Sequence, residues 1–225
     1  MGALDGKHVA IRKPPSSGSL YHNYKGFFSI VLLALVDTNC RFLWIDVGGM
    51  GHMSDAQMFN DSGLKECIDD ETTNFPRPEP LPYNDADTPY FLLGDDADSL
   101  RKYFMKPYSR RGLAEEELVF YYRISRARRV VENAFGILAN RWQCLLSTRQ
   151  QRPDVVRSMV EAAVCLHNIM RTKYNVNQDA LVHREDDDHK IIPALFGQCD
   201  GSQQRHCRGK ETAKLYFNSD VGQVA

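Results

Sequence analysis

Residues 26–36 read GFFSIVLLALV, an almost unbroken apolar run rich in β-branched and aromatic side chains. No polar stripe interrupts it at a helical spacing, so it reads as a central strand buried on both faces. Asp37-Thr38-Asn39 is turn chemistry, and 41–47 (RFLWIDV) is the returning strand of a hairpin. Upstream, 3–11 (ALDGKHVAI) is a further short strand, separated from the central one by Pro14, Pro15 and the SSGS stretch. Residue 1 thus lies almost at the start of the first strand.

Working outward on the other side, Gly48, Gly49 and Gly51 predict a flexible loop. Ser54-Asp55 offers an N-cap to a short helix over 55–67, with Ala56, Met58, Phe59 and Leu64 as its apolar positions. Residues 69–90 hold five prolines and many acids and read as a surface loop. A short buried strand at 90–94 (YFLLG) and a helix at 98–105 follow. From 113 to 145 the pattern is helical, with Val131, Phe135, Leu138 and Trp142 on one face. Pro153 opens a second long helix to 173, with Val156, Met159, Val160, Ala163, Val164 and His167 toward the core. Three antiparallel strands followed by alternating elements predict an α/β fold. Its best match is an RNase H-like mixed sheet flanked by helices and followed by a long helical C-terminal part. The domain spans 1–174, and 175–225 is a polar tail, expected to be disordered.

The composition fits a soluble globular chain. Of the 225 residues, 43% are hydrophobic and 25% charged. The run from Phe27 to Val36 is too short for a membrane span, which needs about 20 residues, and residues 1–15 carry no apolar secretory core. The six cysteines (40, 67, 144, 165, 199, 207) form no CxxC pair and read as reduced thiols. Cys199, His206 and Cys207 read as scattered polar tail residues rather than a zinc site. The formal net charge of -1 conceals two opposed blocks. Residues 1–100 hold 7 Lys/Arg against 15 Asp/Glu, whereas residues 101–174 hold 15 against 6. Such asymmetry points toward nucleic-acid or metal chemistry.

Three acids stand in costly places. Asp5 interrupts an apolar strand, Asp95 ends the strand YFLLGD, and Glu132 sits among Val130, Val131, Ala134 and Phe135 on the long helix. Each alone has a plain structural explanation: a turn before Gly6, a helix cap shared with Asp96, an i, i+4 pair with Arg128. Together, two strand-borne aspartates and a helical glutamate can converge, and converging carboxylates call for a divalent cation. The glycines at 48, 49 and 51 lack the phosphate-loop pattern GxxxxGK[ST].

The segments LDGKHVAIRKP, YKGFFSIVLLALVD, SDAQMFNDS, YFLLGDDA, SRARRVVENAFGILANRW and CLHNIM occur in that order over residues 3–174. Together they resemble the DDE nuclease domain of PIF/Harbinger transposases and their domesticated relatives. The resemblance implies an RNase H-like fold and a catalytic triad of Asp5, Asp95 and Glu132. Thirty-six residues separate the last two. It adds Asp55, in the S-D-A segment, as a fourth metal ligand, although a Ser-Asp pair opening a helix is equally an N-cap. The implied chemistry is a DNA endonuclease or transposase-type phosphoryl transfer using Mg2+ or Mn2+, with DNA and a separate DNA-binding protein as partners and a nuclear location. Arg123, Arg126, Arg128 and Arg129 on the helix, with Arg110 and Arg111 before it, are the candidate phosphate contacts. His8 and His167 are secondary: the first could orient an acid or contact phosphate, the second reads as a core histidine. The alternative is a domesticated, catalytically silent module that keeps the fold and binds protein or DNA. Two departures bear on that choice. Asp98 and Ser99 replace the aromatic and proline that usually follow L-G-D, and the helical region that family members carry before the first Asp is not seen, as in a truncated product.

Overall fold

The central strand is the buried one. In a computed structural model of the chain, Ser29–Val36 forms β2, buried at every position. The structure describes residues 2–70, 72, 76–80, 85–95, 103–108, 112–173, 184–185 and 191–192. The first strand, β1 (Ala3–Ala10), pairs antiparallel with β2 in a register that sets Asp5 opposite Ala34. The hairpin partner is β3 (Phe42–Met50). Its turn is built by Asp37, whose Oδ1 accepts the N–H groups of Asn39 and Arg41 at 2.8 Å each.

β3 runs further than the sequence suggested and takes in two of the three loop glycines. The β2–β3 register shifts where Val31 faces Gly49 and Leu32 faces Val47. Gly48, at φ +116°, is the residue skipped there, a bulge that only glycine forms without strain.

Beyond β3 the single expected helix is two: α1 (Asp55–Asn60) and α2 (Gly63–Asp69). Ser62 ends the first and restarts the second, accepting from Lys65 N at 3.3 Å as a new N-cap. The proline-rich loop holds a two-residue hairpin, β4 (Glu79–Pro80) with β5 (Asp87–Thr88). Then β6 (Leu92–Leu93) joins the sheet parallel to β1, and β7 (Phe104–Met105) lies parallel to β6. Phe104 and Met105 therefore correct the expected helix at 98–105. Phe104 is 1% exposed, and its backbone completes a sheet edge rather than a helical turn. Residues 98–102, including Asp98 and Ser99, lie outside the described residues.

The long helices follow as α3 (Glu115–Arg141) and α4 (Pro153–Lys173), joined by a 3-10 turn at Gln143–Leu146. Three glutamates in the first turn of α3 favour its N-terminal dipole, and Glu117 accepts the Ala114 N–H at 2.9 Å. Val131, Phe135 and Leu138 are buried as their spacing requires, as are Val156, Val160, Ala163, Val164 and His167 of α4.

The sheet order is β3-β2-β1-β6-β7. Side-chain alternation assigns its two faces. Leu4, Gly6 and His8 share a face with Leu35, Leu33 and Val31. That face packs Met58 and Phe59 of α1 and Leu64 and Ile68 of α2. Asp5 and Lys7 share the opposite face, which α3 covers, since Arg128 reaches Asp5 and Phe135 lies under Lys7. A mixed sheet with helices on both faces, led by an antiparallel meander, is an α/β fold of the RNase H-like kind.

The chain divides into two units, residues 1–177 and 178–225. In the second, β8 (Arg184–Glu185) pairs antiparallel with β9 (Ile191–Ile192). The remainder of the expected tail, Cys199, His206 and Cys207 included, lies outside the described residues. No helix among the described residues is long and apolar enough to cross a membrane.

Candidate active site

The site forms because β1 has an open edge. β6 pairs with β1 at Ala3 alone. From Asp5 to Val9 no described strand covers that side of β1, and beyond it the Arg149 N–H donates to the Ala10 carbonyl at 2.8 Å. The edge must still satisfy its donors. The Gly6 N–H does so by donating to Asp55 Oδ2 at 3.0 Å, which brings the start of α1 against β1. Ser54 meanwhile caps the helix, accepting from Gln57 N at 3.2 Å. Asp55 is thus freed from the capping role that its Ser-Asp context allows.

Gly6 is required at this point. A Cβ there would fall inside the van der Waals envelope of the Asp55 carboxylate. The other acids come from different elements. Asp5 projects from β1 toward α3, Asp95 follows β6 after a single residue, and Glu132 is on α3. Asp55, Glu132 and Asp95 all act on Asp5, each disfavouring its charge. Burial is the largest cause, and together these push the Asp5 carboxyl up to about 7 against the opposing pull of Arg128.

Arg128 takes a position that sequence reasoning missed. Its Nη2 stands 3.7 Å from Asp5 Oδ1 and its Nη1 3.5 Å from Asp95 Oδ1. The guanidinium therefore spans two of the acids. Its buried Nε has no hydrogen-bond partner among the described residues. Among those residues, no three acidic, histidine or cysteine side chains converge closely enough to hold one metal ion.

The other basic candidates are arranged differently. Arg123 and Arg126 are exposed on α3, whereas Arg129 is partly buried. Burial lowers the Arg129 pKa, as does Arg126, with Glu132 opposing. Arg110 and Arg111 lie outside the described residues.

Neither histidine joins the acids. His8 Nδ1 is 2.9 Å from Ser29 Oγ, and its ring stands edge-on to exposed Tyr24. Burial, with Lys25 and Lys7, pushes its pKa down to about 4, so near pH 7 it brings no charge to a phosphate. His167 is fully buried, with Nε2 2.8 Å from the Cys40 carbonyl and its ring against Phe42. It is a core residue, as its place in an apolar helix suggests.

The family model described as DDE superfamily endonuclease matches residues 4–168. The chain belongs to this family. Asp5, Asp55, Asp95 and Glu132 all lie within the matched span. Among curated relatives of this endonuclease family, the chain is 27% identical over 174 residues to the human protein named "Putative nuclease HARBI1". It is 26% identical over 174 residues to "Protein ALP1-like" of Arabidopsis thaliana. Each alignment covers 75% of this chain, but only 45% and 42% of the relative, so the chain spans less than half the length of either. No solved structure matches.

Proposed function

We propose that this endonuclease domain is a divalent-metal-dependent DNA nuclease of the transposase type, with Asp5, Asp95 and Glu132 as its catalytic carboxylates and Asp55 as a fourth ligand. One observation carries the reading. Four acids from β1, α1, the end of β6 and α3 meet electrostatically at Asp5, where one guanidinium opposes them. Asp5 is the buried member of the set, and Asp95, half exposed, keeps its side of the cluster open to solvent.

The donor set suits Mg2+ or Mn2+, since hard cations take carboxylate oxygens and a surplus of carboxylates over cations favours them. When bound, such ions activate a water and stabilise the leaving 3′ oxygen of a phosphodiester. The chain's own residues do the rest. β1 and β6 fix Asp5 and Asp95 on a buried framework, and α3 carries Glu132 to the same edge. The Gly6 N–H orients Asp55. Arg123 and Arg126, exposed on the same helix, hold DNA phosphates without reading sequence. The reading extends to a nuclear location and a separate DNA-binding partner, supported by the family alone.

Plasmid nicking with Mg2+ or Mn2+ tests it. The wild type nicks; Asp95→Asn and Glu132→Gln fold and do not. A folded wild type that binds DNA and never nicks it defeats the proposal. That result is the one expected of a second reading, a silent DNA- or protein-binding module. Arg128 between Asp5 and Asp95 favours this alternative, because a fixed guanidinium there would block the ion.

A further inference from the structure

The contacts of Arg128 are too long for a closed ion pair. Charge-assisted N–H···O bonds run at about 2.7–2.9 Å and Arg–carboxylate pairs are often bidentate. Arg128 instead reaches two different carboxylates at 3.7 and 3.5 Å. It does so with a side chain only 14% exposed and with Nε orphaned. Structural arginines at that depth satisfy their donors. A group that spends its charge between two carboxylates and leaves a buried donor unpaired is placed for charge, not for hydrogen bonding.

Four carboxylates around Asp5 repel one another, and a cation spanning two of them relieves that repulsion. We propose that Arg128 is the resident counter-cation of the acid cluster: between Asp5 and Asp95 its guanidinium stands in for a divalent ion, so metal binding and the Arg128 contacts exclude one another. The inference rests on the nuclease reading above and deepens it. Arg128 becomes a positioning residue that keeps the acids together without metal and must withdraw when metal loads. It also accounts for the lack of three converged ligands among the described residues, since carboxylates aimed at a guanidinium are not aimed at a common point.

The test titrates Mn2+ alone into the full chain, with calorimetry for affinity and thermal melting for the metal-induced shift. The proteins are wild type, Arg128→Gln, Arg128→Lys, and Arg157→Gln as a charge control on α4. Without metal, Arg128→Gln melts below wild type. With Mn2+ it binds about tenfold tighter, because a like charge a few ångströms from the ion is gone, and its melting point rises further on metal addition. Arg128→Lys, which keeps the charge but loses the span, binds tighter than wild type and less tightly than Arg128→Gln. Arg157→Gln matches wild type.

Affinity in folded Arg128→Gln that is equal to or weaker than wild type overturns the proposal while leaving the nuclease reading intact. A tenfold gain in Arg157→Gln as well overturns it too, as a general charge effect. If Arg128→Gln does not fold, Arg128→Lys decides: affinity no higher than wild type overturns the proposal. No Mn2+ binding by any folded variant defeats the nuclease reading itself.

Discussion

The backbone N–H of Gly6 donates to the Asp55 carboxylate at 3.0 Å, across 49 residues of sequence. This bond does for β1 what a neighbouring strand would otherwise do. It also ties the acid of α1 to the strand that carries Asp5.

Gly6→Ala should therefore act through Asp55. The added Cβ would overlap the carboxylate and drive it off the edge, leaving the Gly6 N–H unsatisfied. The expected cost is on the order of 1–3 kcal/mol in chemical denaturation, typical of overpacking, together with loss of metal-dependent nicking. A double-mutant cycle checks the cause. In an Asp55→Ala background the same Gly6→Ala change should cost far less. Equal costs in both backgrounds would show that the effect is not routed through Asp55.

Asp5→Asn should stabilise the metal-free protein at pH 8. The folded state holds the Asp5 carboxyl at about 7, above its ordinary value of 3.8. A raised folded pKa contributes stability that is fully present below pH 3.8 and is lost as pH rises through 7. Above that the wild type carries an ionised carboxylate that its burial and its neighbours disfavour. The amide keeps the shape without the charge, and the shift from 3.8 to about 7 caps the gain at roughly 4 kcal/mol, since each pKa unit is worth about 1.4. A melting point at pH 8 unchanged or lowered by the substitution contradicts this.

The sequence made the sheet legible because its signals are local. A nearly continuous apolar run at 26–36, rich in β-branched and aromatic residues, favours a buried strand, which the fold places at Ser29–Val36, and the Asp37 turn specifies the hairpin. The two long helices announce themselves by periodicity. The short elements were not legible for the converse reason. β6 and β7 have two residues each, and Phe104 belongs to the sheet through pairing with Leu92, a partner that no local pattern names. The break between α1 and α2 at Ser62 could have been read, since a serine before Gly63 and Leu64 repeats the capping signal of Ser54. Of the site, the acids stood out by their surroundings. Arg128 did not, because its i, i+4 spacing to Glu132 suggested a pair on one helix, whereas the tertiary structure turns it toward Asp5 and Asp95. Gly6 left one usable signal, a glycine inside a strand, which often marks close approach by another group.

His167 should make the fold acid-sensitive in a defined window. Burial lowers its pKa from 6.5 to about 4, so it stays neutral in the fold. Between those values the unfolded chain binds the proton and the folded one does not, so stability falls as pH drops from 6.5 toward 4. Asp5 acts in the opposite sense from 3.8 to 7, and His8, lowered to about 4, in the same sense as His167. The informative quantity is therefore a difference. His167→Gln, which keeps a donor for the Cys40 carbonyl, should lose less stability than wild type between pH 7 and pH 4.5. Parallel melting curves across that range would rule out a contribution from His167.

DNA binding should separate the arginines of α3 by where they point. Arg123 and Arg126 are exposed, while Arg128 faces Asp5 and Asp95. A cation that meets phosphate releases counterions, and each such contact adds about 0.9 to the slope of log affinity against log salt for duplex DNA. Replacing both Arg123 and Arg126 by alanine should thus weaken metal-free binding at low salt and flatten the slope by roughly 2. The loss should be uniform across DNA sequences, because phosphate contacts position the duplex without reading bases. Arg128→Gln in the same metal-free assay should leave the slope near wild type, since its charge is already committed to carboxylates. A slope that drops by about 1 with Arg128→Gln and stays unchanged with the Arg123 and Arg126 substitutions would place the DNA across the acid cluster and away from the exposed face of α3.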